Sequence, residues 1–236
     1  MHFQKPLKRV KFLKRYKRFL ADIYSKEMDL ALTIHCPNSG SMKGIFDNTP
    51  QPIIAWMSGS DNPNRKLPYT LEIIETEHGL VGVNTHNPNK IVKEAIEQEK
   101  IAALLGYEII RTEVRYGTNS RIDILLESPE KPMTYVEVKN VSMREGNVLM
   151  FPDAVTERGT KHLLDLIHMV HEGYRAVMLF LAQRNDCSTF TVAESIDPLY
   201  AKTLREAIKQ GVEVLAYKCH VTPDAITLTD QMHVDL

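Results

Sequence analysis

The feature that most constrains this chain is a change of hydrophobic periodicity at Asn84-Thr85-His86-Asn87-Pro88. Before it, short apolar segments at residues 53–57, 69–74 and 80–83 alternate with turn clusters such as Pro37-Asn38-Ser39-Gly40-Ser41 and Ser58-Gly59-Ser60-Asp61-Asn62-Pro63-Asn64. Short strands separated by turns, with few helices among them, predict a small β-barrel. Residues 10–24 and 29–36 read as two more strands joined by Ser25-Lys26-Glu27, although Phe12, Leu13, Tyr16, Phe19 and Leu20 also fit a helical stripe. After the change, Ile91, Ala95, Ile96, Ala102 and Leu105 recur at helical spacing, with Gly106 placed to stop the helix.

Strands then read at 108–115, 121–126 and 134–138, a helix at 156–171 and a continuous apolar strand at 175–182. A third helix opens at Asp197-Pro198, with Asp as cap and Pro in the first turn, and ends before Gly211; a strand at 212–217 follows. This order predicts an α/β domain with a mixed central sheet over residues 87–236, behind a barrel over residues 1–86.

Charge divides at the same point. Residues 1–86 hold 12 Lys/Arg against 8 Asp/Glu, and the remainder holds 17 against 22, so a net charge of −1 conceals a basic half and an acidic half. The first twenty residues carry eight cations and no acid. There Lys11, Lys14, Arg15, Lys17 and Arg18 interleave with Phe12, Tyr16 and Phe19, a pattern that suits a polyanionic strand beside stacking bases. The three cysteines, Cys36, Cys187 and Cys219, are odd in number and lack C-x-x-C spacing, so neither a disulfide framework nor a zinc site is expected. No apolar run reaches the length of a membrane span, and residues 1–20 lack a signal core, which predicts a cytoplasmic protein.

Chemistry concentrates in the second half. Asp123 is the lone acid in the apolar strand Arg121-Ile-Asp-Ile-Leu-Leu, and Glu137, within Tyr135-Val-Glu-Val-Lys, follows fourteen residues after it. With a period of two, Glu137 and Lys139 share one face of their strand. Buried charges cost several kcal/mol unless partnered; Asp123 on a neighbouring strand and a bound Mg²⁺ or Mn²⁺ would supply the partners. Glu94 and Glu97 on the preceding helix stand as further candidate ligands. Alternating acid and lysine also describe a solvated sheet edge, so the pattern alone leaves both readings open. Thr156 or Asp153 can cap the 156–171 helix, where Arg158 and Lys161 share a face suited to phosphate, and His162 fits either a phosphate contact or a packed position. P-loop, G-x-G-x-x-G and G-x-S-x-G signatures are missing, as are helix-turn-helix and zinc-finger patterns.

Six blocks in order make the chain resemble the SfsA (sugar fermentation stimulation) family from about Leu7 to Lys218. They are Arg15-Tyr-Lys-Arg-Phe-Leu-Ala-Asp, His35-Cys-Pro-Asn-Ser-Gly-Ser-Met, Ser120-Arg-Ile-Asp, Tyr135-Val-Glu-Val-Lys-Asn-Val, Phe151-Pro-Asp-Ala-Val-Thr-Glu-Arg-Gly and Gly211-Val-Glu-Val-Leu-Ala-Tyr-Lys. The resemblance implies an N-terminal OB-like domain and a restriction-endonuclease-like PD-(D/E)xK domain whose core matches Asp123, Glu137 and Lys139. It further implies sequence-nonspecific DNA binding with a regulatory link to maltose and other sugar-utilisation genes. Three functional expectations follow: a nonspecific DNA-binding protein, a Mg²⁺-dependent nuclease, or an adaptor whose basic face meets an acidic protein.

Overall fold

The computed structural model describes residues 1–46, 49, 51–116 and 120–236. Six strands form the N-terminal sheet: β1 (Lys8–Tyr16), β2 (Leu20–Ser25), β3 (Leu30–His35), β4 (Ile54–Gly59), β5 (Tyr69–Thr76) and β6 (Gly79–Gly82). Their order is β3-β2-β1-β4-β5-β6, and a parallel contact between His35 of β3 and Thr70 of β5 closes the first five into an OB-like barrel. Val10, Phe12, Ala21, Ile23, Ile34, Met57 and Leu71 fill it, and in β1 and β2 inward residues alternate with outward ones. The span 10–24, expected as one strand, is a hairpin. The chain reverses at Lys17 and Arg18, both with positive φ (47° and 61°), a conformation that Asn or Gly normally marks. Phe12 is core rather than a stacking platform: it is buried and stacks on Phe46.

Beyond the barrel come α1 (Pro88–Glu97), β7 (Ile109–Tyr116), β8 (Ser120–Ser128), β9 (Lys131–Val141), β10 (Met143–Glu145) and β11 (Val148–Phe151). They are followed by α2 (Glu157–His171), β12 (Arg175–Ala182), β13 (Thr189–Val192), α3 (Pro198–Lys209), β14 (Glu213–Val221), β15 (Ile226–Gln231) and β16 (His233–Asp235). The central sheet runs β15-β14-β12-β9-β8-β7, parallel between β9, β12 and β14 and antiparallel elsewhere. Both faces of β12 are covered, which is why seven of its eight residues are buried and its sequence runs apolar without alternation. On one face pack α2 and α3, through Leu163, Leu166, Tyr200 and Leu204 against Met178 and Phe180. On the other lie α1 and the barrel itself, whose Trp56 and Ile73 join Ile91, Ile124, Val136 and Leu179 in one cluster. A smaller sheet, β10-β11-β13-β16, carries four short strands that the periodicity does not reveal.

Helix α1 ends at Glu97 rather than near Leu105, because Glu99 adopts positive φ (55°) and only a single 3₁₀ turn follows. Two polar ties join the halves. Gln183, 1% exposed, accepts from Gly82 N–H (2.8 Å) and donates through Nε2 to Asn84 O (3.0 Å) and Asn140 Oδ1 (2.8 Å). Asp153 accepts from Met42 N–H (3.2 Å), and any side chain at Gly40 would collide with that carboxylate. Cys36 sits in the barrel core, Cys187 beside the small sheet and Cys219 in β14, all three buried and unpaired. Among the described residues no helix is long and apolar enough to cross a membrane.

Candidate active site

Strands β8 and β9 are adjacent and antiparallel, with Ile124 opposite Val136. One step further Asp123 comes opposite Glu137, and the ladder stops there. Val138 N–H turns instead to Asp123 Oδ2 (2.8 Å), while Asn89 at the start of α1 donates to Asp123 Oδ1 (2.7 Å). Lys139 Nζ donates to Glu137 Oε1 (2.6 Å). The three residues singled out by the alternating pattern therefore meet at one end of two neighbouring strands.

Helix α2 completes the site. Its N-cap is Thr156, whose hydroxyl accepts from Gly159 N–H (3.1 Å); Asp153 is occupied with Met42 and does not cap. One and a half turns on, His162 faces Glu137. Arg158 Nε donates to His162 Nε2 (3.2 Å), and His162 Nδ1 lies against both Glu137 Oε1 and Lys139 Nζ (3.1 Å from the latter). Sequence reasoning left the role of His162 open and missed Asn89; both come from helices, where no strand alternation advertises the partner.

Electrostatics mark the pair of carboxylates as incomplete. Burial, and then the charge of Glu137, push the Asp123 carboxyl up to about 6; the Val138 N–H, Lys139 and Asn89 oppose this only in part. Burial pushes Glu137 up as well, but the His162 hydrogen bond and the Lys139 charge outweigh it, so Glu137 lies below the usual range and stays ionised. Yet Glu137, 1% exposed, has an oxygen, Oε2, that is buried without a hydrogen-bond partner among the described residues. Burial first, and the charge of Glu137 second, hold the neighbouring Tyr116 and Tyr200 hydroxyls neutral.

Glu94 does not belong here. Five residues after Asn89, it lies roughly 140° further round α1, and it pairs with the N-terminal amine of Met1. Of the expected cationic residues, Arg15, Arg18 and Arg158 line one cleft of about 710 Å³ together with Lys139. Arg15 spends its guanidinium inside the barrel domain, donating through Nη2 to Asn38 O (2.7 Å) and Gly40 O (2.8 Å). Lys161 is held by Asp165 (2.8 Å) and Ser120, Lys14 pairs with Asp22 (3.5 Å), and Lys11 and Lys17 are exposed outside that cleft.

With the geometry in place, the comparisons decide the lineage. Residues 13–83 match the family model described as the SfsA N-terminal OB domain, and residues 86–225 match the sugar fermentation stimulation protein RE domain. The chain belongs to the SfsA family. It is similar over nearly its whole length to sugar fermentation stimulation protein homologs from Rhodospirillum centenum (52% identical, 96% of each chain) and Geobacter sulfurreducens (49% identical, 99% of this chain and 98% of the relative). The structure of SfsA from Pyrococcus furiosus, solved in complex with Ca²⁺, superposes with a TM-score of 0.87 over 100% of this chain and 98% of that one, at 28% identity. An SfsA-family fold thus pairs an OB-like barrel with a mixed-sheet domain, and the Asp123–Glu137–Lys139 cluster sits beside the cleft where the two meet.

Proposed function

We propose that this chain binds DNA without reading its sequence and hydrolyses phosphodiesters at Asp123, Glu137 and Lys139 with a divalent cation. The observation that carries the reading is the buried, unpartnered Glu137 Oε2 beside an Asp123 carboxyl pushed up to about 6. Glu137 Oε2 and the Asp123 carboxylate, whose oxygens also accept from Asn89 and Val138 N–H, would hold Mg²⁺ or Mn²⁺. Mg²⁺ is commonly held by one or two carboxylates and keeps its remaining positions for water and substrate oxygens. The Ca²⁺ in the Pyrococcus furiosus relative, another hard cation that prefers oxygen ligands, supports the same chemistry. When bound, such a cation polarises the phosphodiester and lowers the pKa of water.

The chain's own residues do the rest. His162, held at Nε2 by Arg158, sets its Nδ1 against Glu137 Oε1 and helps to orient that carboxylate. Asn89 and Val138 N–H hold Asp123 in one rotamer. Lys139, 14% exposed, reaches past Glu137 into the cleft, where its ammonium offsets charge developing on a phosphoryl oxygen. Binding to phosphates without base readout is compatible with a regulatory influence on sugar-utilisation genes through occupancy of DNA rather than recognition of an operator.

A paired assay of wild type and Lys139→Ala on single- and double-stranded DNA, in EDTA, Mg²⁺ and Mn²⁺, tests this. We expect metal-dependent cutting by wild type and a loss of at least about 10²-fold in Lys139→Ala with binding retained. Binding by both proteins without cutting would overturn the nuclease reading, and absence of binding would overturn both.

A further inference from the structure

We infer that the DNA strand crosses this site rather than ending in it, so that cleavage is internal to the strand. The inference rests on the nuclease reading above and adds the geometry of its substrate. The cleft of about 710 Å³ on the Lys139 side runs between Asn38–Ser41 of the barrel domain and the segment from Phe151 to Thr156. A second, of about 420 Å³, opens on the Asp123 side and is lined by His86, Asn89, Lys90, Lys93 and Thr112. Thr85 lines both, and its hydroxyl donates to Pro37 O (2.9 Å), so the two clefts meet over the linker between the domains. Asp123 faces one cleft and Lys139 the other, while Asp123 Oδ2 is only 2.8 Å from the Val138 nitrogen that precedes Lys139. The reacting groups therefore lie where the clefts join.

A site that trims chain ends needs a wall past the scissile bond; here cations continue in both directions. Arg18 and Arg158 are exposed on one side; on the other Lys90 is exposed, while Lys93 is half-buried and paired with Glu97. Among the described residues the side chains of Arg18 and Lys90 make no hydrogen bond or ion pair, so both are available to phosphate. Each arm also meets the start of a helix: α1 begins at Pro88 with no side-chain cap, and α2 begins after Thr156. Helix N-termini favour phosphate.

Covalently closed single-stranded circles, compared with the same strand linearised, provide the test in Mg²⁺ or Mn²⁺. We expect circle and linear strand to be cut at rates within about threefold of each other, since neither needs an end. Degradation of the linear strand with the circle left intact would overturn the inference while leaving the nuclease reading standing. A binding arm decides the groove even if nothing is cut. In the Lys139→Ala background, Arg18→Glu and Lys90→Glu should each weaken binding of an oligothymidylate of about 16 nucleotides by about tenfold at low salt. If only one of the two does so, the strand occupies a single arm and the inference falls.

Discussion

At Asp123 the fold holds a largely buried carboxylate beside a second one, Glu137, and its partners Val138 N–H, Lys139 and Asn89 offset that cost only in part. Its carboxyl protonates near 6 in the folded chain against 3.8 in the ordinary range, so between these values the folded state binds more protons than the unfolded one. Stability from this group therefore falls as pH rises from about 4 to about 6 and stays lowered above that. The shift sets a ceiling of about 3 kcal/mol, and partial exposure screens it to about 1–2 kcal/mol. In EDTA at pH 8, Asp123→Asn should melt higher than wild type by that amount, with Asn89 flipping its amide to accept; at pH 4 the difference should vanish. Saturating Mg²⁺ should stabilise wild type and not Asp123→Asn. A melting difference independent of pH would sink this account. Asp123, Glu137 and Lys139 were legible in the sequence because charges interrupting apolar strands have few explanations. Asn89 and His162 were not, because a helix residue's partner is fixed by packing. Glu94 was misread because its distance in sequence conceals the rotation of α1.

Elements whose ends are set by local chemistry were the readable ones. Thr156 and Asp197 both cap the helices expected of them, and β12 occupies the span its unbroken apolar run predicts. Asp197 does more than cap α3: while Oδ1 accepts from Tyr200 N–H (2.9 Å), Oδ2 accepts from Thr156 N–H (2.8 Å), so one buried carboxylate ties the starts of α2 and α3 together. Asp197→Ala should cost about 2 kcal/mol, or roughly 4–8 °C in melting temperature for a chain of this size. Since α2 carries His162, activity should fall as well. A melting temperature within about 1 °C of wild type would contradict the shared cap. The β1–β2 hairpin escaped the sequence because Lys17 and Arg18 take left-handed conformations without the Asn or Gly that would announce them. The small sheet escaped it because three to four residues are too few for a period to emerge.

For the whole molecule, the cations of the groove come from both halves of the chain, Arg18 from the basic one and Arg158, Lys90 and Lys93 from the acidic one. On the proposed reading the two arms of the groove offer Arg18, Arg158 and Lys90 to phosphate, Lys93 being paired with Glu97. Three contacts predict that log K for single-stranded DNA falls against log salt with a slope of about −2, at about −0.7 per phosphate. A titration of single-stranded DNA binding from low to physiological salt measures it, and a slope near zero would exclude this groove as the DNA site. The barrel and the sheet domain also share an apolar cluster at Trp56 and Ile73 and the polar ties of Gln183 and Asp153. They should therefore lose structure in one step. The buried cysteines offer a stopwatch for that event. One lies in each of three regions, and burial pushes all three thiols up, Cys219 to about 12, so each is shielded from alkylating reagents until its own region opens. Pulse alkylation along a urea gradient should label Cys36, Cys187 and Cys219 at a common midpoint. Early labelling of Cys36 alone would reveal a barrel that opens while the rest of the chain holds.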